Sequence, residues 1–150
     1  MRDWEEVWRA VNVPLERVDA VAVDLGERLP REGVVALEGG MGLGKTTWVR
    51  AICRSWGIPE GVASPTFGLA HTHRTADGRT VHHLDLYRLR DEGEAWDLGL
   101  EMYFEAPALS LVEWPERAGP LLPPDHWVLR IAGSPAGPDH RTLTLYRPRD

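Results

Sequence analysis

The apolar run Val34-Val35-Ala36-Leu37, with two β-branched residues, has the character of a strand buried on both faces of a parallel sheet. Beyond it the period changes. Val49, Ile52, Cys53 and Trp56 recur at i, i+3, i+4 and i+7, one face of a helix, and Gly57 then Pro59 stop it. The spacing predicts a helix from about Lys45 to Trp56. Upstream, after Pro14, Val18, Val21, Ala22, Leu25 and Leu29 predict another over Leu15 to Leu29, and Val11 to Val13 reads as a short edge strand.

Downstream, Ser64-Pro65-Thr66-Phe67 opens an extended segment through about His73, and Asp77-Gly78 turns it into Thr80 to Tyr87, a hairpin signal. Asp91 is placed to cap a helix through Phe104, with Trp96, Leu100 and Phe104 on one side, although Gly93 and Gly99 oppose it. Leu109-Ser110-Leu111-Val112 gives a second buried strand, ending at Glu113. Trp127 to Ala132 and Thr142 to Tyr146 read as two strands joined by the loop Gly133 to Asp139, an antiparallel extension of the sheet.

Between the buried strand and its helix lies Gly39-Gly40-Met41-Gly42-Leu43-Gly44-Lys45-Thr46, a complete G-x-x-x-x-G-K-[ST] loop in its required context. Glycines there let phosphate oxygens approach the backbone. Successive N–H groups then form an anion nest at the positive end of a helix dipole. Lys45 suits the β- and γ-phosphates, the Thr46 hydroxyl suits Mg²⁺, and Thr47 could add a phosphate hydrogen bond. The expected fold is therefore a three-layer α/β/α of the P-loop NTPase kind, with a mixed, mostly parallel central sheet and antiparallel C-terminal strands.

Length and charge narrow the picture. A chain of 150 residues fits a single domain spanning 1–150, too short for a second substrate-binding domain, so elaborate chemistry calls for a partner. No apolar run is long enough to span a membrane, and Met1-Arg2-Asp3-Trp4-Glu5-Glu6 is too charged for a secretory signal, so the expected location is cytoplasmic. The single cysteine, Cys53, falls on an apolar helix face and reads as core. A net charge of −6 argues against a surface that grips nucleic acid all round. Arg88 with Arg90, and Arg141 with Arg147 and Arg149, stay open as local basic contacts but read first as solvated faces.

An NTPase needs a carboxylate near Mg²⁺ and a group that places the attacking water. Two qualify. Glu113 ends an apolar strand, at the carboxyl end where ligands of parallel α/β proteins lie, and is read as an Mg²⁺ group, direct or through water. Asp85 follows Val81-His82-His83-Leu84 and is assigned to metal or water positioning. Thr66, after a proline in an extended segment, could bring its hydroxyl to Mg²⁺ or the γ-phosphate as switch loops do. His71, His73, His82 and His83 lack the usual separations of a zinc site and read as polar strand faces.

These motifs, in this order, resemble the TsaE (YjeE) family, the small ATPase of bacterial tRNA threonylcarbamoyladenosine synthesis. The resemblance runs from about Leu15 to Glu116. It rests on Gly39 to Thr47, Ser64-Pro65-Thr66-Phe67, His83-Leu84-Asp85-Leu86-Tyr87-Arg88-Leu89, Asp97-Leu98-Gly99-Leu100 with Tyr103-Phe104, and Val112-Glu113-Trp114-Pro115. It implies an ATP- and Mg²⁺-dependent accessory ATPase that joins the TsaB and TsaD proteins, which modify the adenosine beside the anticodon, with tRNA contacted only indirectly. By motif position, Lys45 and Thr46 carry over as phosphate and Mg²⁺ ligands, Thr66 as the switch-like threonine, Asp85 and Glu113 as the acidic pair, and Trp114 as the tryptophan beside the site. One position departs: the family usually has an acidic residue where this chain has Gly40.

Two other functions share the loop. A small P-loop kinase would also need an acceptor pocket and an arginine-bearing lid, and no segment is an obvious lid. A nucleotide-gated binding module would use ATP occupancy to switch the Thr66 segment, with little turnover.

Overall fold

The apolar run is strand β2 (Gly33–Glu38), central in a sheet that also contains β1 (Trp4–Val13), β3 (Ala70–Arg74), β4 (Thr80–Asp85), β5 (Leu109–Glu113), β6 (Trp127–Ser134) and β7 (Gly137–Pro148). The computed structural model describes residues 3–59 and 69–149. Among them the strand order is β1-β7-β6-β2-β5-β4-β3. The β6-β2-β5-β4 centre is parallel, while β7 and β1 on one side and β3 on the other add antiparallel pairs. The hairpin expected around Asp77-Gly78 is β3–β4.

Alternation along β2 splits the core in two. Val35 and Leu37 face helices α1 (Val18–Arg28) and α2 (Lys45–Ser55), in a cluster with Leu25, Trp48, Ile52, Leu111 and Ile131; Val34 faces the opposite cluster with Leu84, Val112, Leu100 and Phe104. Each fully buried large side chain contributes roughly 1.5–3 kcal/mol by leaving water. The two helices lie close because Gly26 has no Cβ, which would sit 2.9 Å from Trp56 Nε1. Trp8 of β1 ties the layer to the sheet edge, donating its indole N–H to Asp24 at 2.8 Å.

Three expectations need correction. The edge strand is not three residues but all of Trp4–Val13, paired with β7 through register shifts at Glu6/Trp8 and Ala10/Val13 that break the alternation. The helix expected from Asp91 to Phe104 divides. Asp91 does cap α3 (Glu92–Asp97), accepting from the Glu94 N–H at 2.9 Å, but Gly99 turns left-handed at φ 68° and the chain resumes as a 3₁₀ segment, Leu100–Phe104. Trp96 is consequently exposed while Leu100 and Phe104 are buried. Finally, the loop expected over Gly133 to Asp139 is a tight turn at Pro135 and Ala136, because β6 runs on to Ser134 and β7 begins at Gly137.

Among the described residues, no helix is long and apolar enough to cross a membrane.

Candidate functional site

Strand register places the site. In the parallel ladders Leu37 of β2 lies opposite Glu113 of β5, and Glu113 lies opposite Asp85 of β4, so three strands end together where the Gly39–Thr46 loop begins. Gly39 permits the loop's departure, since a Cβ there would meet the Ile131 carbonyl of β6 at 2.8 Å. Gly44, at φ 88°, caps α2 in the left-handed region, which lets the Trp48 N–H reach the Gly44 carbonyl at 3.0 Å and start the helix. Met41 and Thr47 are exposed beside it.

Lys45 and Thr46, the first residues of α2, are both engaged. The Lys45 ammonium donates to the Gly39 carbonyl at 2.5 Å and the Gly40 carbonyl at 3.3 Å, and lies 3.8 Å from the centre of the Trp114 ring. Trp114 is held there by a left-handed backbone (φ 57°), a conformation that costs a non-glycine residue on the order of 1–3 kcal/mol, and by Tyr87, whose ring is 5.1 Å away. The Thr46 hydroxyl lies 3.0 Å from each carboxylate oxygen of Glu113. Glu113 is 3% exposed. Its second oxygen also meets His83 Nε2 at 2.6 Å, the imidazole N–H donating to the carboxylate.

The residue set read from sequence is therefore brought together in part. Lys45, Thr46, Glu113 and Trp114 converge. Asp85 lies at the same end of the strands, opposite Glu113, but its carboxylate is exposed and accepts from the Tyr87 N–H at 3.1 Å. Thr66 lies outside the described residues. Gly40 is open: a Cβ there would find only Leu43 Cδ1, at 3.8 Å.

Two residues join the site that were read as surface. His83, taken as part of a polar strand face, is the direct partner of Glu113. The signal was its place two residues before Asp85 on the same face of β4. Arg141, taken as solvated, instead donates to the Leu43 carbonyl at 3.0 Å across 98 residues of chain, which no local pattern announces. On the β3–β4 hairpin His71 stacks on His83 at 6.1 Å and His73 on His71 at 6.0 Å, while His82 is bonded to Thr72 at 2.8 Å. Partial burial, then neighbouring imidazoles, lowers the pKa of His73 and His82. Among the described residues no group of three or more His, Cys, Asp or Glu side chains is arranged to hold a metal.

The donors present do fit Mg²⁺. A hydroxyl and a carboxylate, both hard oxygen ligands, meet at the mouth of the phosphate loop, and Mg²⁺ in nucleotide sites takes few protein ligands, completing its shell with phosphate and water.

The family model for threonylcarbamoyl adenosine biosynthesis protein TsaE matches residues 14–142. A tRNA threonylcarbamoyladenosine biosynthesis protein TsaE of Bacillus subtilis is 37% identical over 139 residues, 92% of this chain and 83% of that protein. The like-named protein of a Nostoc species is 42% identical over 98 residues, 62% of this chain and 59% of its own length. In three dimensions, a crystal structure of Bacillus subtilis YdiB superposes with a TM-score of 0.70 at 28% identity, covering 98% of this chain and 87% of that one.

Proposed function

The chain belongs to the TsaE family, and from that premise we propose that it is a cytoplasmic, Mg²⁺-dependent ATPase that supports threonylcarbamoyladenosine modification of tRNA together with the TsaB and TsaD proteins. The observation that carries the reading is the contact of Thr46 with both oxygens of a buried Glu113 beneath a complete phosphate loop.

Each part has a task in hydrolysis. The loop amides hold the β- and γ-phosphates. Lys45 exchanges the Gly39 and Gly40 carbonyls and the Trp114 ring for phosphate oxygens, which offer a stronger, charge-assisted bond. Thr46 and Glu113 would hold Mg²⁺, which when bound neutralises charge on the phosphate oxygens. Asp85, exposed at the next strand end, is free of the Thr46–Glu113 pair and is the better placed of the two carboxylates to orient water; Thr66 completes the set as the switch threonine. His83 keeps Glu113 turned toward Thr46.

The acidic net charge, −6, fits a protein that leaves tRNA contact to its partners. The test is removal of this protein from its host and analysis of tRNA nucleosides. Threonylcarbamoyladenosine should fall, and a Lys45→Ala copy should fail to restore it; unchanged levels would sink the assignment.

A further inference from the structure

Arg141 fastens the tip of the phosphate loop to the last hairpin of the sheet. Its Nε donates to the Leu43 carbonyl at 3.0 Å and an Nη to the Gly42 carbonyl at 3.5 Å, while the other Nη donates to the carbonyls of Pro138 and His140 at 2.6 and 2.8 Å. The hairpin is built to present it. Between the pairs Gly133↔Arg141 and Ser134↔Gly137 the register jumps, so residues 138–140 bulge out of β7, and Arg141 closes that bulge while reaching the loop.

The consequence follows from peptide geometry. In a planar trans peptide the C=O of one residue and the N–H of the next point in opposite directions. Holding the Leu43 carbonyl toward Arg141 therefore turns the Gly44 N–H the other way, into the concavity where a phosphate is expected. Only a guanidinium can span both attachments, since its donors form a rigid fork. Among the described residues its bonds go to carbonyls alone, so its charge also raises the potential at the loop.

We propose that Arg141 is a positioning residue that presets the phosphate loop and so governs nucleotide affinity without touching the reacting atoms. This rests on the reading of the loop as an ATP site. Arg141→Met removes the fork and the charge while keeping an apolar stem, and Arg141→Lys keeps the charge but not the fork. Three readouts separate the roles: backbone hydrogen exchange of the nucleotide-free proteins, Mg²⁺-ATP binding, and the split between KM and kcat.

For Arg141→Met we expect faster exchange confined to the 39–44 segment and the 138–140 bulge that Arg141 closes, Kd and KM for ATP raised about tenfold, the worth of a hydrogen bond to a charged group, and kcat unchanged. Arg141→Lys should recover part of the affinity but not the loop's protection. Wild-type exchange and affinity in Arg141→Met would overturn the proposal. So would exchange accelerated across the whole sheet with affinity restored by Lys, the mark of a merely structural residue. Should the wild type bind no ATP, the reading of the site fails, and exchange in the nucleotide-free proteins still decides whether Arg141 orders the loop.

Discussion

The Thr46 hydroxyl sits 3.0 Å from both oxygens of Glu113, joining the first turn of α2 to the end of β5. Among the described residues the buried carboxylate has one further partner, His83, and it is only 3% exposed. The acid at the strand end is thus fixed at the place where the phosphate loop delivers its hydroxyl.

Glu113→Gln keeps the shape of the side chain and removes its charge. We expect hydrolysis to fall by roughly 10²-fold or more, with nucleotide still bound. Steady-state turnover beside equilibrium binding checks this; a variant that turns over at the wild-type rate would remove Glu113 from the chemistry.

Two neighbouring glycines should respond oppositely to alanine. At Gly39 the added methyl meets the Ile131 carbonyl at 2.8 Å, backbone that cannot swing aside, so Gly39→Ala should cost about 1–3 kcal/mol. At Gly40 the nearest atom is 3.8 Å away and φ is not positive, so Gly40→Ala should be neutral or gain roughly 0.4–1 kcal/mol through the unfolded chain. Thermal melts compare them; equal losses at both would contradict the packing described.

These glycines also show what sequence patterns can carry. The strand, loop and helix from Val34 to Trp56 were legible because each is set by local periodicity and by residue types with one backbone use. β1 was largely missed because Glu5, Glu6 and Arg9 disguise a strand whose register shifts twice against β7. Likewise the pairing of His83 with Glu113, and of Arg141 with Leu43, depends on strand order. Strand order is a tertiary property, so both residues looked like polar surface.

Burial pushes the Cys53 thiol from 9.0 up to about 11, with Arg54 opposing weakly. The unfolded chain therefore ionises first, so the stabilisation is complete below pH 9 and is lost as pH rises toward 11. Denaturant titrations at pH 8 and near pH 11 should show wild type losing about 2–3 kcal/mol more than Cys53→Ala. Parallel losses would mean that the thiol is not protected by the core.

His73 and His82 give the acid limb. Their folded pKa values are lowered, so their contribution is present above pH 6.5 and is lost as pH falls through the folded values. A His73→Gln protein should lose less stability than wild type between pH 7 and pH 5, read as the shift in Tm; identical shifts would place the acid sensitivity elsewhere.

The proposed function requires above all that this loop, with Thr46 and Glu113, hydrolyse Mg²⁺-ATP in the service of a larger complex. Phosphate release by the purified protein mixed with TsaB and TsaD tests it most directly, measured beside Lys45→Ala. We expect Mg²⁺-dependent turnover that the partners stimulate and the Lys45 substitution abolishes. Turnover no greater than that of the Lys45→Ala protein would contradict it.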